Sequence, residues 1–308
     1  QTLTVVETGG QAFAGAITNS GSLAKSGAGT LTLSSASSSY SGGTTVRGGR
    51  LVASNANALG SGNILLQADS TSRATLVLNN ITMTGKTLTM DSTTNRAILL
   101  SGSSGGATWN GDIVLIGGAS ANGTTELAND TGNGPLTLAG TITGSIAGGA
   151  LTLRGAGATT TNVLSATVSI GSTSLAKTDD STWQITSSGN TWSGTTISAG
   201  SLSVGNGGAT GELGAGGITN NATLVVNRTG AINLTNTISG SGALVKTAAG
   251  TLTLSGNNTY GGTTTISSGT LQIGNGTDAG SIGSTSALTN TGALVYNVGS
   301  GTRTNGAA

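Results

Sequence analysis

One phrase of strand and turn words is written three times along this chain, and no other feature constrains its fold as much. The first copy runs Leu23-Ala-Lys25, Leu31-Thr-Leu33, Tyr40-Ser-Gly-Gly-Thr-Thr-Val46, Gly49-Arg-Leu51 and Leu59-Gly-Ser-Gly62. The third runs Leu244-Val-Lys246, Leu252-Thr-Leu254, Tyr260-Gly-Gly-Thr-Thr-Thr-Ile266, Gly269-Thr-Leu271 and Ile282-Gly-Ser284. The second is more worn: Leu175-Ala-Lys177, Trp183-Gln-Ile185, Trp192-Ser-Gly-Thr-Thr-Ile197, Gly200-Ser-Leu202 and Leu213-Gly-Ala-Gly216. Leu23 to Leu31, Leu175 to Trp183 and Leu244 to Leu252 are all steps of eight residues. Val46 to Leu51, Ile197 to Leu202 and Ile266 to Leu271 are all steps of five. Repeats of this size, built from strand and turn words, stack on their neighbours as a solenoid.

Outside the repeats the grammar is the same. Leu76-Val-Leu78, Leu88-Thr-Met90, Ala97-Ile-Leu-Leu100, Leu136-Thr-Leu138, Leu151-Thr-Leu153 and Leu224-Val-Val226 are short bursts bounded by Gly, Asn or Ser. In Leu-Thr-Leu a period of two sends both leucines to one face and the threonine to the other. Strands this short are stable when each coil of a β-helix pairs in parallel with the coils above and below it. Glycine, 55 of 308 residues, supplies corners with positive φ. Hydrophobic residues make up 35% but aromatics only 2%, which suits a thin core of Ala, Val, Leu and Ile. The expected fold is therefore all-β, a parallel β-helix of 20–24 residues per coil. It runs as one elongated, continuous β-solenoid over residues 1–308, with repeats at about 21–62, 175–216 and 242–284.

Charge narrows the function. The chain has 11 basic and 10 acidic residues, with no run of Lys or Arg to track phosphates, so nucleic acid is not an expected partner. No apolar stretch approaches the roughly 20 residues needed to cross a bilayer, so this segment is not expected to insert into a membrane. Histidine and cysteine are absent, which removes the common nucleophile–base pairs and the His or Cys metal sites. What remains is carboxylate chemistry on a β-helix face. The acids are Glu7, Asp69, Asp91, Asp112, Glu126, Asp130, Asp179, Asp180, Glu212 and Asp278. Asp91, Asp112 and Asp130 are spaced near one coil each, so they could stack as a carboxylate or Ca²⁺ column or occupy separate turns. Asp179-Asp180 reads as a turn. Catalytic, cofactor and metal residues are all expected to be none, and no enzyme activity is expected.

The phrase at residues 242–271, and its copy at 21–51, resembles the passenger-associated repeat of bacterial autotransporters and related large surface proteins. The second copy departs from it at Ser181-Thr-Trp-Gln-Ile185. The resemblance implies a right-handed parallel β-helix exported to the outer cell surface or extracellular space, where the repeat helps the stalk fold or travel. It implies no catalysis. The chain shows no amphipathic strands of a membrane-spanning barrel.

Seven residues are candidates for surface contacts. Lys25, Lys177 and Lys246 recur at one position, either as a column touching a sugar or partner, or as outward residues bordering a strand. Tyr40, Trp192 and Tyr260 precede the Gly-Thr-Thr turn, where rings stack on sugars or pack on the next coil. Trp109 has no equivalent in the repeats. Trp183 replaces a core leucine and should be buried. The expected function is a rigid stalk or fibre presenting an adhesive surface. The alternative is a subunit that stacks coil on coil into a filament, since neither end shows a polar cap and both read as cut from a longer rod. A polysaccharide-acting enzyme is a more distant reading. Expected partners are the chain itself, or glycans or proteins of a host or cell surface.

Overall fold

The computed structural model describes residues 1–118, 124–130, 132–277 and 280–299. Every regular element among them is a short β-strand, and every strand pairing is parallel. The chain divides into two compact units, Gln1–Thr173 and Ser174–Ala308.

In the first unit, an eight-stranded sheet runs from Thr2–Val6 to Thr167–Ser169. A second sheet takes the next strand of each coil, including Gly10–Phe13, Thr30–Leu33, Gly49–Ala53, Ala74–Leu78, Ala97–Ser101, Thr125–Asn129 and Ala150–Leu153. A third face becomes regular only in the middle coils, at Thr82–Thr84, Ala107–Asn110, Leu136–Ala139 and Thr161–Leu164. The coil length follows from register. Leu23 pairs with Thr44 and Thr44 with Ile64, steps of 21 and 20 residues. The middle coils are longer than expected: Ile113 pairs with Ile142, a step of 29. The strands of this coil stay short, four or five residues each.

The second unit repeats the plan. Trp183 pairs with Leu202, Leu202 with Leu224, and Leu224 with Leu244. A further sheet stacks Ile232–Leu234, Thr251–Leu254, Thr270–Ile273 and Ala293–Tyr296.

The core is a set of columns. Thr30–Leu33 and Thr251–Leu254 alternate half-buried threonine with buried leucine. Register aligns Leu31, Leu51, Leu76, Leu99, Leu127 and Leu153 in one line, all buried. Each such leucine contributes roughly 1.5–3 kcal/mol relative to exposure. At the first and last coils the inward positions lie open. Leu3 and Phe13, register partners of Leu23 and Leu33, are 48% and 44% exposed. Tyr296, the partner of Ile273, is 46% exposed.

Candidate functional site

The three repeated lysines point inward, which corrects both the contact column and the outward border residue. In Ser22–Ser26, Leu23 and Lys25 occupy the same buried face. Lys25, Lys177 and Lys246 are 0%, 0% and 1% exposed. The carbonyls at a coil corner have no strand ladder to satisfy them, and an ammonium carries three donors. Lys25 Nζ donates to the carbonyls of Ser26 and Gly27 in its own corner, at 3.1 and 2.8 Å, and to Gly48 in the next coil at 2.9 Å. Lys177 does the same with Thr178, Asp179 and Ala199 at 2.5, 2.7 and 3.1 Å. Lys246 reaches Thr247, Ala248 and Ser268 at 2.6, 2.6 and 3.4 Å. Desolvation lowers all three amine pKa values. For Lys177 the value falls to about 8, against the opposing charges of Asp179 and Asp180. The fourth lysine, Lys86, donates to Gly60 and Gly62 carbonyls, and Arg228 holds those of Gly211 and Ala209. Buried cations in this chain are corner pins.

The aromatic position is also internal. Tyr40, Trp192 and Tyr260 are buried, and each bonds a core-facing threonine. Tyr40 Oη lies 2.6 Å from Thr44 Oγ1, and Tyr260 Oη 2.8 Å from Thr264 Oγ1. Trp192 Nε1 donates to Thr195 Oγ1 at 2.9 Å, one residue nearer in sequence because this copy lacks a turn residue. The ring packs against the next coil, where Gly60 and Gly214 of the Leu-Gly tail leave room for it: a Cβ there would fall within 2.8 and 2.7 Å of the Tyr40 and Trp192 ring atoms. Trp109 and Trp183 are core residues, paired in register with Leu138 and Leu202. None of the seven candidates is a surface contact, because inward register buries them all. Tyr40→Phe should leave the Thr44 hydroxyl buried without its partner. We expect a loss of about 1 kcal/mol, read as a lowered urea midpoint; an unchanged midpoint would show that the pair contributes nothing.

A different feature lies on the outer face of the second sheet of the first unit. There Ala74–Leu78, Ala97–Ser101 and Thr125–Asn129 are buried on both faces. Register sets Val52, Val77, Leu100 and Ala128 side by side as an outward apolar stripe. Beside it runs a mixed row of Arg50, Thr75, Ile98 and Glu126. Glu126 is buried between Arg96, whose Nε donates to Oε1 at 2.7 Å, and Arg154, whose Nη1 donates to Oε2 at 2.5 Å. Arg50 lies 3.8 Å from Asp130. Among the described residues Arg73 has neither a hydrogen bond nor an ion pair. Arg50, Arg73, Asp130 and Arg154 border a groove of about 230 Å³ over Ile98, Leu100 and Ala128, which are themselves buried.

The family model of the passenger-associated-transport repeat matches residues 23–53, 175–204 and 244–273. The chain carries three passenger-associated-transport repeats. No curated protein and no solved structure matches the chain. Each matched repeat is a pair of coils: its Leu-x-Lys strand stacks under its Thr-Thr-Ile or Thr-Thr-Val strand, and Thr-Leu-Thr-Leu, or Thr182-Trp-Gln-Ile185 in the second copy, under Gly-x-Leu.

The acids do not form a column. Asp91 bonds Thr93 and Gln67, Asp112 accepts from Thr141, and Asp130 faces Arg50, on different parts of the coils. Among the described residues no three acidic side chains gather closely enough to hold a metal ion. Asp179 sits at a corner with φ of 58°, as a turn residue. Asp278 lies outside the described residues. The groove was missed from the sequence although it left a trace there. Between the first and second matched repeats, some strands carry continuous apolar runs such as Ile98-Leu-Leu100, the pattern of strands buried on both faces.

Proposed function

We propose that this chain is a structural segment of a secreted or cell-surface passenger, a β-solenoid stalk, and that it is not an enzyme. One observation carries the reading: the lysine, aromatic and strand leucine positions that recur in all three repeats are buried. The repeated residues therefore build coil pairs and leave the outward positions free to vary, as a scaffold requires. Adhesion would then belong to outward surfaces that differ from coil to coil. A second reading is end-to-end assembly into a filament through stacking of coils.

The test grafts the chain between a secretion signal and an outer-membrane barrel in a bacterium. A stalk should reach the surface as a protease-resistant body. Outward changes such as Thr32→Asn should leave display intact, whereas Lys246→Glu should abolish it. Failure of display by the unaltered chain would overturn the stalk reading. Electron microscopy of the purified chain over a concentration series addresses the second reading: fibres with a fixed axial repeat support it, and single particles at every concentration exclude it.

A further inference from the structure

We propose that Asn110 is a site of spontaneous deamidation, with the backbone nitrogen of Gly111 as nucleophile and water as co-reactant. On losing its proton, that nitrogen attacks Cγ of Asn110, and the side-chain nitrogen leaves as ammonia. Water then opens the resulting succinimide ring at either carbonyl, giving Asp or isoaspartate at position 110. Nothing is oxidised or reduced. A glycine after the asparagine favours ring closure, because no Cβ restricts its backbone.

The fold separates this pair from others of the same sequence. Asn-Gly occurs at residues 110–111, 133–134, 206–207 and 275–276 among the described residues, and at 122–123 and 305–306 outside them. At three of the four described pairs both reacting groups are held. Asn133 Nδ2 donates to the Ser101 carbonyl at 3.0 Å, and the Gly134 N–H to that of Ser103 at 2.6 Å. Asn206 Oδ1 accepts from the Gly208 N–H at 3.3 Å, and the Gly207 N–H donates to the Asn227 carbonyl at 2.8 Å. Asn275 Oδ1 accepts from the Thr277 hydroxyl at 2.9 Å, and the Gly276 N–H donates to the Asn297 carbonyl at 2.7 Å. Each of those N–H bonds must break before its nitrogen can attack, which adds to the barrier. Asn110 differs on both counts. It is exposed and ends the strand Ala107–Asn110, and Gly111 lies just beyond that strand. Among the described residues neither the Asn110 carboxamide nor the Gly111 N–H has a hydrogen-bond partner.

The two products differ in consequence. Asp keeps the backbone and adds one negative charge at an exposed position. Isoaspartate lengthens the main chain by one carbon where Gly111 runs so close to the Lys86 carbonyl oxygen that a Cβ would lie 2.2 Å from it. That corner must then shift. The experiment ages the full native chain in mildly alkaline buffer beside a sample unfolded in urea. Mass spectrometry follows each Asn-Gly pair with fragment ions that localise the change, and isoaspartyl methyltransferase labelling reports the isoaspartate. In the native chain Asn110 should convert several-fold faster than Asn133, Asn206 or Asn275. In urea the four rates should converge, because the tertiary hydrogen bonds that distinguish the pairs are gone. Amide hydrogen exchange gives a second readout: the Gly111 N–H should exchange faster than those of Gly134, Gly207 and Gly276. Faster conversion of any of the other three in the native chain, equal native rates, or a Gly111 amide as protected as that of Gly207 would overturn the proposal.

Discussion

Gly49→Ala is expected to destabilise the first unit by about 4 kcal/mol, the cost being a left-handed backbone plus a collision between coils. Gly49 has φ of 65°, and a Cβ there would lie 2.3 Å from the Gly29 carbonyl oxygen and 2.6 Å from that of Gly27. Both are backbone atoms of the coil below and cannot rotate away. The same geometry recurs at Gly200 and Gly269, which explains why every repeat writes Gly-x-Leu at this step. Gly85 supplies the control. Its φ is 68°, but no atom lies within 4 Å of a Cβ built on it. Gly85→Ala should therefore cost only the conformational part, about 1 kcal/mol. Urea unfolding of both variants separates the two contributions, and equal losses would mean that the close approach of coils contributes nothing.

Lys177→Met should cost about 3 kcal/mol at neutral pH. The methionine keeps the length and packing of the stem but leaves the carbonyls of Thr178, Asp179 and Ala199 without their shared donor, at roughly 1–3 kcal/mol each, offset in part by relief of a desolvated charge. The pH dependence gives an independent check. The folded amine titrates near pH 8, lowered from 10.5. Between those values the unfolded chain binds a proton that the folded chain does not. Raising the pH through this window therefore stabilises the fold, and the gain is lost as pH falls through about 8. The difference in urea midpoint between wild type and Lys177→Met should thus grow from pH 8 to pH 10. A difference that stays flat or shrinks would show that Lys177 is not a desolvated corner pin.

The two predictions mark where sequence reading succeeded and where it stopped. The glycine was legible: Gly-x-Leu at fixed distance from Thr-Leu-Thr-Leu reads as a corner, and it is one. Lysine was misread because an isolated charged residue normally belongs outside, and nothing in Leu-x-Lys reveals that its ammonium meets two carbonyls of its own corner and one of the next coil. Period two did place Lys25 on the face of Leu23, but the expectation about charge overrode it. For the tyrosine and tryptophan of the Gly-Thr-Thr turn the sequence left two readings open, stacking on sugars or packing on the next coil, and the structure shows the second. Their threonine partners sit only three or four residues away in sequence, yet the pairing matters only because both face the core.

The sequence alone determined the all-β parallel solenoid, the strand words, the eight- and five-residue steps, the corner glycines and the identity of the repeat. All of these are local, set by period-two alternation and by the backbone freedom of glycine, so they can be read along one strand and its turn. Tertiary structure decided which residues became neighbours across coils, because that depends on register summed over coils of unequal length, from 20 residues at Thr44 to Ile64 to 29 at Ile113 to Ile142. Register alone brings Lys25 to the Gly48 carbonyl, and it alone sets Val77 beside Leu100 under a rim of arginines drawn from separate coils.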